Sequence, residues 1–354
     1  MRRSSIVYAV IGTLLIVAGA ALSFVVVPMA KKLPSSTNAT LHYTGTGTLL
    51  NAAALQSGDL AHVVAKDVRI TVDRRVYVSK VSGNSAKAHD DQTLHALGQT
   101  IPDPHTYAVN RTNLGPATAF GGVAVESTNG VTIALPIGPK ARSGVYELYD
   151  PASQQASATV YVGKDKRGDR SVLYFTADTS GAVKDPSLLK TLPPALPKAL
   201  AVKLLPLLPA AVQQKIAAVA AALPDQIPLT YTVDTKAGVW VDAELGAPLD
   251  STIHRTVVAG VSVSGQTIPL LPVLDLNLAQ TKASVDSLAS RAKTASLQLS
   301  IMETWLPLLL LAIGIALWVV AIVGRHPKAA APGQGPSHLE DIPDPAGAPR
   351  GTTV

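Results

Sequence analysis

Trp305-Leu-Pro-Leu-Leu-Leu-Leu-Ala-Ile-Gly-Ile-Ala-Leu-Trp-Val-Val-Ala-Ile-Val323 carries no charge. A bilayer core takes roughly 20 apolar residues of helix, and this run has about that length. Trp305 and Trp318 stand towards its two ends, and Arg325 and Lys328 follow directly. Aromatic and basic residues of this kind mark the boundary of a span with a phosphate-rich surface. Upstream, Ala279–Met302 is amphipathic, with apolar or small residues at Val285, Leu288, Ala292, Ala295, Leu299 and Met302. That 3-4-3-4-3 spacing is a heptad seam. The two halves predict one helix from Ala279 to Val323, with residues 279–302 membrane-proximal and 303–324 spanning.

Working outward, the other end of the chain offers a partner. Met1-Arg-Arg-Ser-Ser precedes the uncharged stretch Ile6–Val27, which Pro28 and Lys31-Lys32 close. A cleaved signal peptide would use a short apolar region and a small-residue site such as Ala18-Gly-Ala20. The apolar run continues past that point through Phe24 and Val27, so its length favours an uncleaved span over residues 6–28. Two spans place both termini on one side. The flanking cations are nearly balanced: Arg2, Arg3, Arg325 and Lys328 against Lys31, Lys32, Arg291 and Lys293. Extreme N-terminal arginines usually dominate such a tie. The expectation is cytoplasmic residues 1–5, a cytoplasmic disordered tail over 325–354 rich in Pro, Gly and Ala, and everything between the spans outside the cell membrane.

Composition narrows the function classes. The chain has 354 residues and no cysteine, which excludes disulfides, thiolate metal sites and a cysteine nucleophile. Its net charge of +6 is dispersed, without a basic block backed by aromatics, so nucleic acid is not an expected partner. Asn38-Ala-Thr40 and Asn110-Arg-Thr112 match the glycosylation sequon, a triplet that also arises by chance.

The region between the spans reads as β-rich over residues 30–185 and again over 227–278, with an apolar helical insertion at 186–226. Asn38–Leu50 is dense in Thr and β-formers. In His62–Val81, Val68, Ile70 and Val72 alternate with Arg69, Thr71 and Asp73, the period of a half-buried strand. Ser82–Gln99 is polar and reads as a solvated loop. Further strands are expected at Tyr107–Thr112, Gly122–Glu126, Val131–Pro139, Gly144–Asp150, Ala156–Val162, Ser171–Ala177, Leu229–Thr235 and Thr252–Val263. Gly238–Leu249 reads as a hairpin turning at Asp242–Gly246. From Pro186 the chain becomes Leu, Ala, Val and Pro with a few Lys. Its prolines break it into two or three short helices, because each removes a donor and clashes with the preceding turn. Either these helices cap the β-domain or they present an apolar surface to lipid or a partner. The candidate contact residues are Leu192, Leu196, Leu200, Leu204 and Leu205, continued by Leu207, Leu208, Ile216 and Leu223. The fold class is therefore an α+β membrane protein, two terminal transmembrane helices flanking a large antiparallel β-rich extracytoplasmic domain with a helical insertion.

Motifs of chemistry are few. Gly45-Thr-Gly47 lacks the third glycine and following helix of a phosphate loop, so close backbone approach within a strand is the reading. Asp91 and His95 would share a helix face, but no third ligand stands at a diagnostic spacing. Asp242 and Glu244 are a carboxylate pair whose place in a hairpin turn makes them solvated turn residues. There is no nucleophile elbow, metalloprotease helix or P-loop. No catalytic, metal or cofactor residue is assigned, no cofactor is expected, and an enzyme is not expected.

The N-terminal span ending in Pro, the Thr44-Gly-Thr-Gly-Thr48 strand, Tyr231-Thr-Val-Asp-Thr235 and Val239-Trp-Val-Asp-Ala-Glu-Leu-Gly246 resemble the actinobacterial DUF3068 family, also labelled the porin PorA family. The likeness runs over most of residues 5–325, and its motifs are strand and turn signatures. It implies a cell-envelope membrane protein and, by its label, an oligomeric porin. It brings no catalytic residue. A membrane β-barrel needs no apolar helices, so a pore built by this chain would require several copies packing their helices. In architecture the chain is also similar to CD36-type lipid receptors, whose ectodomain holds a lipid tunnel. Three expectations follow: binding or passage of an apolar envelope lipid, an oligomeric channel, or a structural envelope protein that binds other proteins. Membrane lipids and a second copy of the chain are the expected partners. The lipid reading requires a continuous apolar cavity in the β-domain.

Overall fold

The computed structural model describes residues 3–323 except 52–53, 55–56, 60–61, 123, 209, 220–222 and 264–265. The tail expected over 325–354 and the extreme N-terminus lie outside the described residues. The chain divides into two units, Met1–Gly19 with Leu308–Val354, and Ala20–Pro307.

The first unit contains parts of two helices of spanning length, Ile6–Ala30 and Lys282–Val323. The parts in this unit lie in α1 (Arg3–Ala21) and in the closing segment of the last long helix, Leu306–Val323. Within this unit Gly12 and Gly314 lie against each other: a Cβ on Gly314 would sit 2.7 Å from Ile16 Cγ1 and 2.9 Å from the Gly12 carbonyl oxygen. Small residues permit this close approach where apolar burial gives helices no preference over lipid. The Trp318 indole N–H donates to Thr13 Oγ at 3.0 Å beside the contact. Gly314→Ile should therefore cost about 1–3 kcal/mol through overpacking, seen as a lower melting temperature in detergent. An unchanged melting temperature would show that the two helices do not pack there.

The second unit is built on one ten-stranded antiparallel sheet. Its strands are β1 (Asn38–Leu50), β2 (Val64–Ser82), β3 (Ser85–Ala96), β4 (Gln99–Asn110), β7 (Val160–Arg167), β8 (Arg170–Ala182), β9 (Ala195–Pro197), β10 (Gln226–Asp242), β11 (Pro248–Val263) and β12 (Gln266–Gln280). The spatial order is β4-β3-β2-β1-β12-β11-β10-β8-β7, with β9 added on β10. β5 (Glu147–Asp150) and β6 (Gln155–Ala158) form a separate hairpin. The N-terminal and C-terminal strands meet in the middle, where β1 pairs with β12. Gly45 belongs to that seam: a Cβ there would lie 1.9 Å from the Asn277 carbonyl oxygen, so the glycine serves close backbone approach.

Prolines stand where the ladder tolerates them. Pro102 and Pro104 are on the edge strand β4. Pro269 and Pro272 of β12 coincide with two register shifts against β11, beyond Leu274, where the β1 pairing ends. A missing N–H costs little at an edge or a bulge.

Sequence and structure differ in several places. Ser82–Gln99 is not a loop: it holds the whole of β3, and its turn to β4 is Leu97-Gly98. The inward positions of β3 include Ala86, Ala88, Asp90 and Gln92, small or polar residues that hide the alternation. Val131–Pro139 is no ladder strand; it is held by a bridge from Val131 to Leu148 and by the Leu135 and Gly138 N–H groups donating to the Gly246 and Glu244 carbonyl oxygens, and Val131, Ile133 and Leu135 are buried. Of Gly122–Glu126, Val123 lies outside the described residues, and Glu126 makes an isolated bridge to Tyr107. Ala156–Val162 divides between β6 and β7 around Thr159, and β7 continues to Arg167.

The insertion contributes α2 (Pro186–Thr191), α3 (Lys198–Leu204) and α4 (Ala210–Val219). The last long helix begins with α5 (Lys282–Ser300), not at Ala279. Ala279 and Gln280 are still in β12, and Thr281 Oγ caps the helix by accepting from the Ser284 N–H. The buried stripe of α5 is Val285, Ala289, Ala292, Ser296 and Leu299, with Leu288 half-buried and Ala295 exposed. Ala289 and Ala292 pack on Val172 and Leu249 of the sheet, so the seam docks on β-structure.

The Asp242–Gly246 turn forms as expected, but Asp242 is fully buried and not solvated. Its carboxylate accepts from Arg170 Nε at 2.6 Å and Nη2 at 2.9 Å, and from the backbone N–H groups of Glu244 and Leu245. A Cβ on Gly246, whose φ is +69°, would meet the Leu135 and Pro136 carbonyl oxygens at 2.3 Å, which fixes glycine at this position. Burial raises the Asp242 pKa, but the Arg170 and backbone hydrogen bonds outweigh it and hold the carboxyl below the usual range. A depressed carboxyl contributes stability above its unfolded pKa and loses it as pH falls through the folded one. Acid unfolding should therefore be less steep in Asp242→Asn than in the native protein, as denaturant midpoints from neutral pH down to the acid range would show. Equal slopes would remove Asp242 from the acid response.

Candidate functional site

The sheet and the strip that crosses it enclose a cavity of about 510 Å³ within the second unit. That is within the roughly 300–1,000 Å³ range of ligand pockets. Its walls come from strands far apart in sheet order: Val72 and Leu94 from β2 and β3, Leu276 and Leu278 from β12, Phe175 and Val241 from β8 and β10. One space can be lined by both ends of such a sheet only if the sheet curls around it. Ile133 and Leu135 cover the concave side, and the hairpin residues Tyr149 and Asp150 close it further. Alternation gives this cavity its lining: the same strands put Arg69, Thr71 and Asp73 of β2, and Thr44 and Thr46 of β1, on the opposite face. That opposite face carries histidine–carboxylate contacts, His42 Nδ1 to Asp73 at 2.6 Å and His254 Nε2 to Asp275 at 3.0 Å.

The exposed lining residues are Leu97 and Gln99 of the β3–β4 turn and Thr191 at the end of α2, with Leu192 following half-buried. They mark where the cavity reaches the surface. Leu97 is 53% exposed with φ +52°, an unusual conformation for a bulky non-glycine residue.

Polar groups interrupt the apolar wall. Arg74 donates from Nε and Nη2 to the two oxygens of Asp90, both at 2.7 Å, a bidentate pair. Arg255 donates to Asp150 at 2.8 Å and to Thr235 Oγ at 3.1 Å, while Ser153 donates to the second Asp150 oxygen. Two buried hydroxyls on the lining, Thr132 Oγ and Tyr149 Oη, have no hydrogen-bond partner among the described residues. Burial pushes the Tyr149 hydroxyl up to about 12, so it stays a neutral donor. An unpaired buried hydroxyl is costly unless water or a ligand meets it.

At the side of the cavity, β4 presents Asp103 and His105, and the residue before α2 presents Asp185. Asp103 and Asp185 line the cavity. His105 is 3% exposed, and its Nδ1 faces Glu126 Oε1 at 2.9 Å. Burial disfavours the charged ring, but Asp103 and Glu126 outweigh that and push it up to about 10. One ligand atom from each of Asp103, His105 and Asp185 lies within 4.8 Å of the others.

The residues singled out in the sequence fare differently. Gly45 and Gly47 are in β1 and form no phosphate loop. Asp91 and His95 are on an extended strand, about 13 Å apart along it at 3.3 Å per residue, so the helical pairing does not arise. Of the nine apolar contact candidates, Leu192 lines the cavity. Leu196 and Leu204 pack with Val63, and Leu200 half-buried beside them. Ile216 packs with Ile227 and Val261, against which Leu205 and Leu223 lie. Leu208 is buried, and the Leu207 side chain lies outside the described residues. These leucines fasten the insertion to the sheet. The cluster Asp103, His105 and Asp185 was missed. Asp103-Pro-His105 has the i, i+2 spacing of one strand face, a signal legible only once residues 99–110 are read as a strand.

Fold and cavity together define an α+β protein with a large antiparallel sheet and two long apolar terminal helices that can span a membrane. The chain belongs to the porin PorA family, whose model matches residues 4–323. No curated protein matches the sequence. Among solved structures it is similar to a MaoC-like dehydratase at 14% identity, over 74% of this chain and 82% of that one, with a TM-score of 0.13. A likeness of that size carries no argument about fold or activity.

Proposed function

We propose that this protein is a membrane-anchored, non-enzymatic cell-envelope protein that binds or passes an apolar lipid through the cavity of its sheet domain. The cavity carries the reading: about 510 Å³, walled mainly by Leu, Val, Ile, Ala and aromatic side chains, with a substantial polar share that includes the charged groups of Arg74, Asp90, Asp103, Asp150, Asp185 and Arg255. Apolar walls take a chain, and convergent polar groups orient a head. The two apolar helices anchor the protein in the cell membrane, with both termini cytoplasmic and the sheet domain outside, the side that the N-terminal arginines favour. Mass spectrometry of lipids co-purified with the intact protein tests this. One lipid class enriched over the surrounding membrane is expected. A lipid profile matching the bulk membrane would overturn it.

The family description favours a second reading, an oligomeric channel. The charged outer face of the sheet is unlike the apolar band of a membrane barrel, so copies would have to assemble through their helices. Planar-bilayer recordings of the purified protein separate the two: reproducible unitary conductance supports the channel, and silence in every oligomeric state counts against it.

A further inference from the structure

We propose that Asp103, His105 and Asp185 form a binding site for a divalent transition-metal cation of the zinc class on the cavity wall. Three carboxylates, those of Asp103, Glu126 and Asp185, gather around one imidazole that is 3% exposed. The decisive observation is at Nε2. It is buried and lies 3.2 Å from Asp103 Oδ1, yet the two are not aligned as a hydrogen bond, and neither atom has another partner. Once Nε2 gives up its proton, its lone pair and that of Asp103 Oδ1 face a shared point at a separation that suits two ligands of one cation. Zinc bonds to His nitrogen and carboxylate oxygen are about 2.0–2.2 Å, so a tetrahedral edge is about 3.3–3.5 Å.

The remaining geometry agrees. Glu126 accepts from the Nδ1 side, the arrangement that orients a metal-ligating imidazole from behind. The Asp185 carboxylate accepts from the N–H groups of Ser187 and Leu188, which fixes it at the start of α2. Its ligand atom is within 4.8 Å of the other two, so a modest inward movement of this side chain completes three protein ligands. Because Asp103 and Asp185 are on the lining, the fourth position opens to the cavity. On binding, the cation takes the place of the Nε2 proton, which passes to solvent. A divalent charge also offsets the carboxylates gathered here, of which Asp103 has His105, Ser187 and Arg255 as its favourable neighbours. This site stands whether or not the cavity holds a lipid.

Full-length protein in detergent, stripped with chelator and titrated with Co²⁺, tests the assignment by the visible absorption of bound cobalt and its displacement by Zn²⁺. One saturable equivalent is expected. Asp103→Asn and Asp185→Asn should each weaken it at least about tenfold, and Asn at 185 still caps α2. Asp73→Asn, in the exposed His42–Asp73–His95 group, should leave it unchanged. No saturable equivalent in the native protein, or equal affinity in both Asn variants, would overturn the site. X-ray absorption of the native protein with Zn²⁺ decides independently of how the variants fold: scattering from one imidazole supports it, and an all-oxygen shell sinks it.

Discussion

The double substitution Ala177→Phe/Ala237→Phe should lower the lipid retained by the purified protein on the order of tenfold or more while leaving the fold in place. Ala177 of β8 and Ala237 of β10 are direct cross-strand partners, and both line the cavity. Their small side chains leave the space that two phenyl rings would enter. In a filled core such insertions cost about 1–3 kcal/mol each by strain. Here open volume receives them, so the melting temperature should fall little while lipid is lost. The measurement is quantitative lipid extraction beside a melting curve, native against variant. Undiminished lipid in a well-folded variant would place bound lipid elsewhere, on the apolar helices for instance, and end the cavity reading.

Asp90→Asn should be the most destabilising conservative change in the sheet domain, by roughly 3–5 kcal/mol. Asp90 is 3% exposed and its two oxygens take both Arg74 donors. Removing one charge leaves a guanidinium in an apolar wall with no partner of equal strength, which costs more than the pair contributes. The double variant Arg74→Met/Asp90→Leu should recover most of the loss, because no isolated charge then remains. Denaturant unfolding of the two singles and the double forms a cycle with a large coupling. Additive effects would mean that the pair is not the unit of stability there.

Both variants act on features that the sequence showed unevenly. β2 was legible because Ile70 and Val72 face the core while Arg69, Thr71 and Asp73 face water. β3 was not, because Asp90 stands at an inward position whose only justification is Arg74 on the neighbouring strand. Asp242 reads as a solvated turn residue in the sequence because its partner, Arg170, is 72 residues away. Asp103, His105 and Asp185 stayed hidden for the same reason: Asp185 reaches the other two only across the fold.

What the sequence determined by itself was the local and the periodic. An uncharged run of spanning length at each end, period-two alternation between them, and prolines that cut the insertion into short helices are properties of neighbouring residues. They yielded the α+β class, the helices and most strands without any knowledge of contacts. The tertiary structure alone decided that β1 pairs with β12, that the sheet curls round a cavity, and that Leu205, Ile216 and Leu223 of the insertion pack on Ile227 and Val261 of the sheet. Those outcomes depend on residues far apart in the chain, whose energies appear only when closure of the sheet takes their apolar side chains out of water and leaves each buried charge to find its partner.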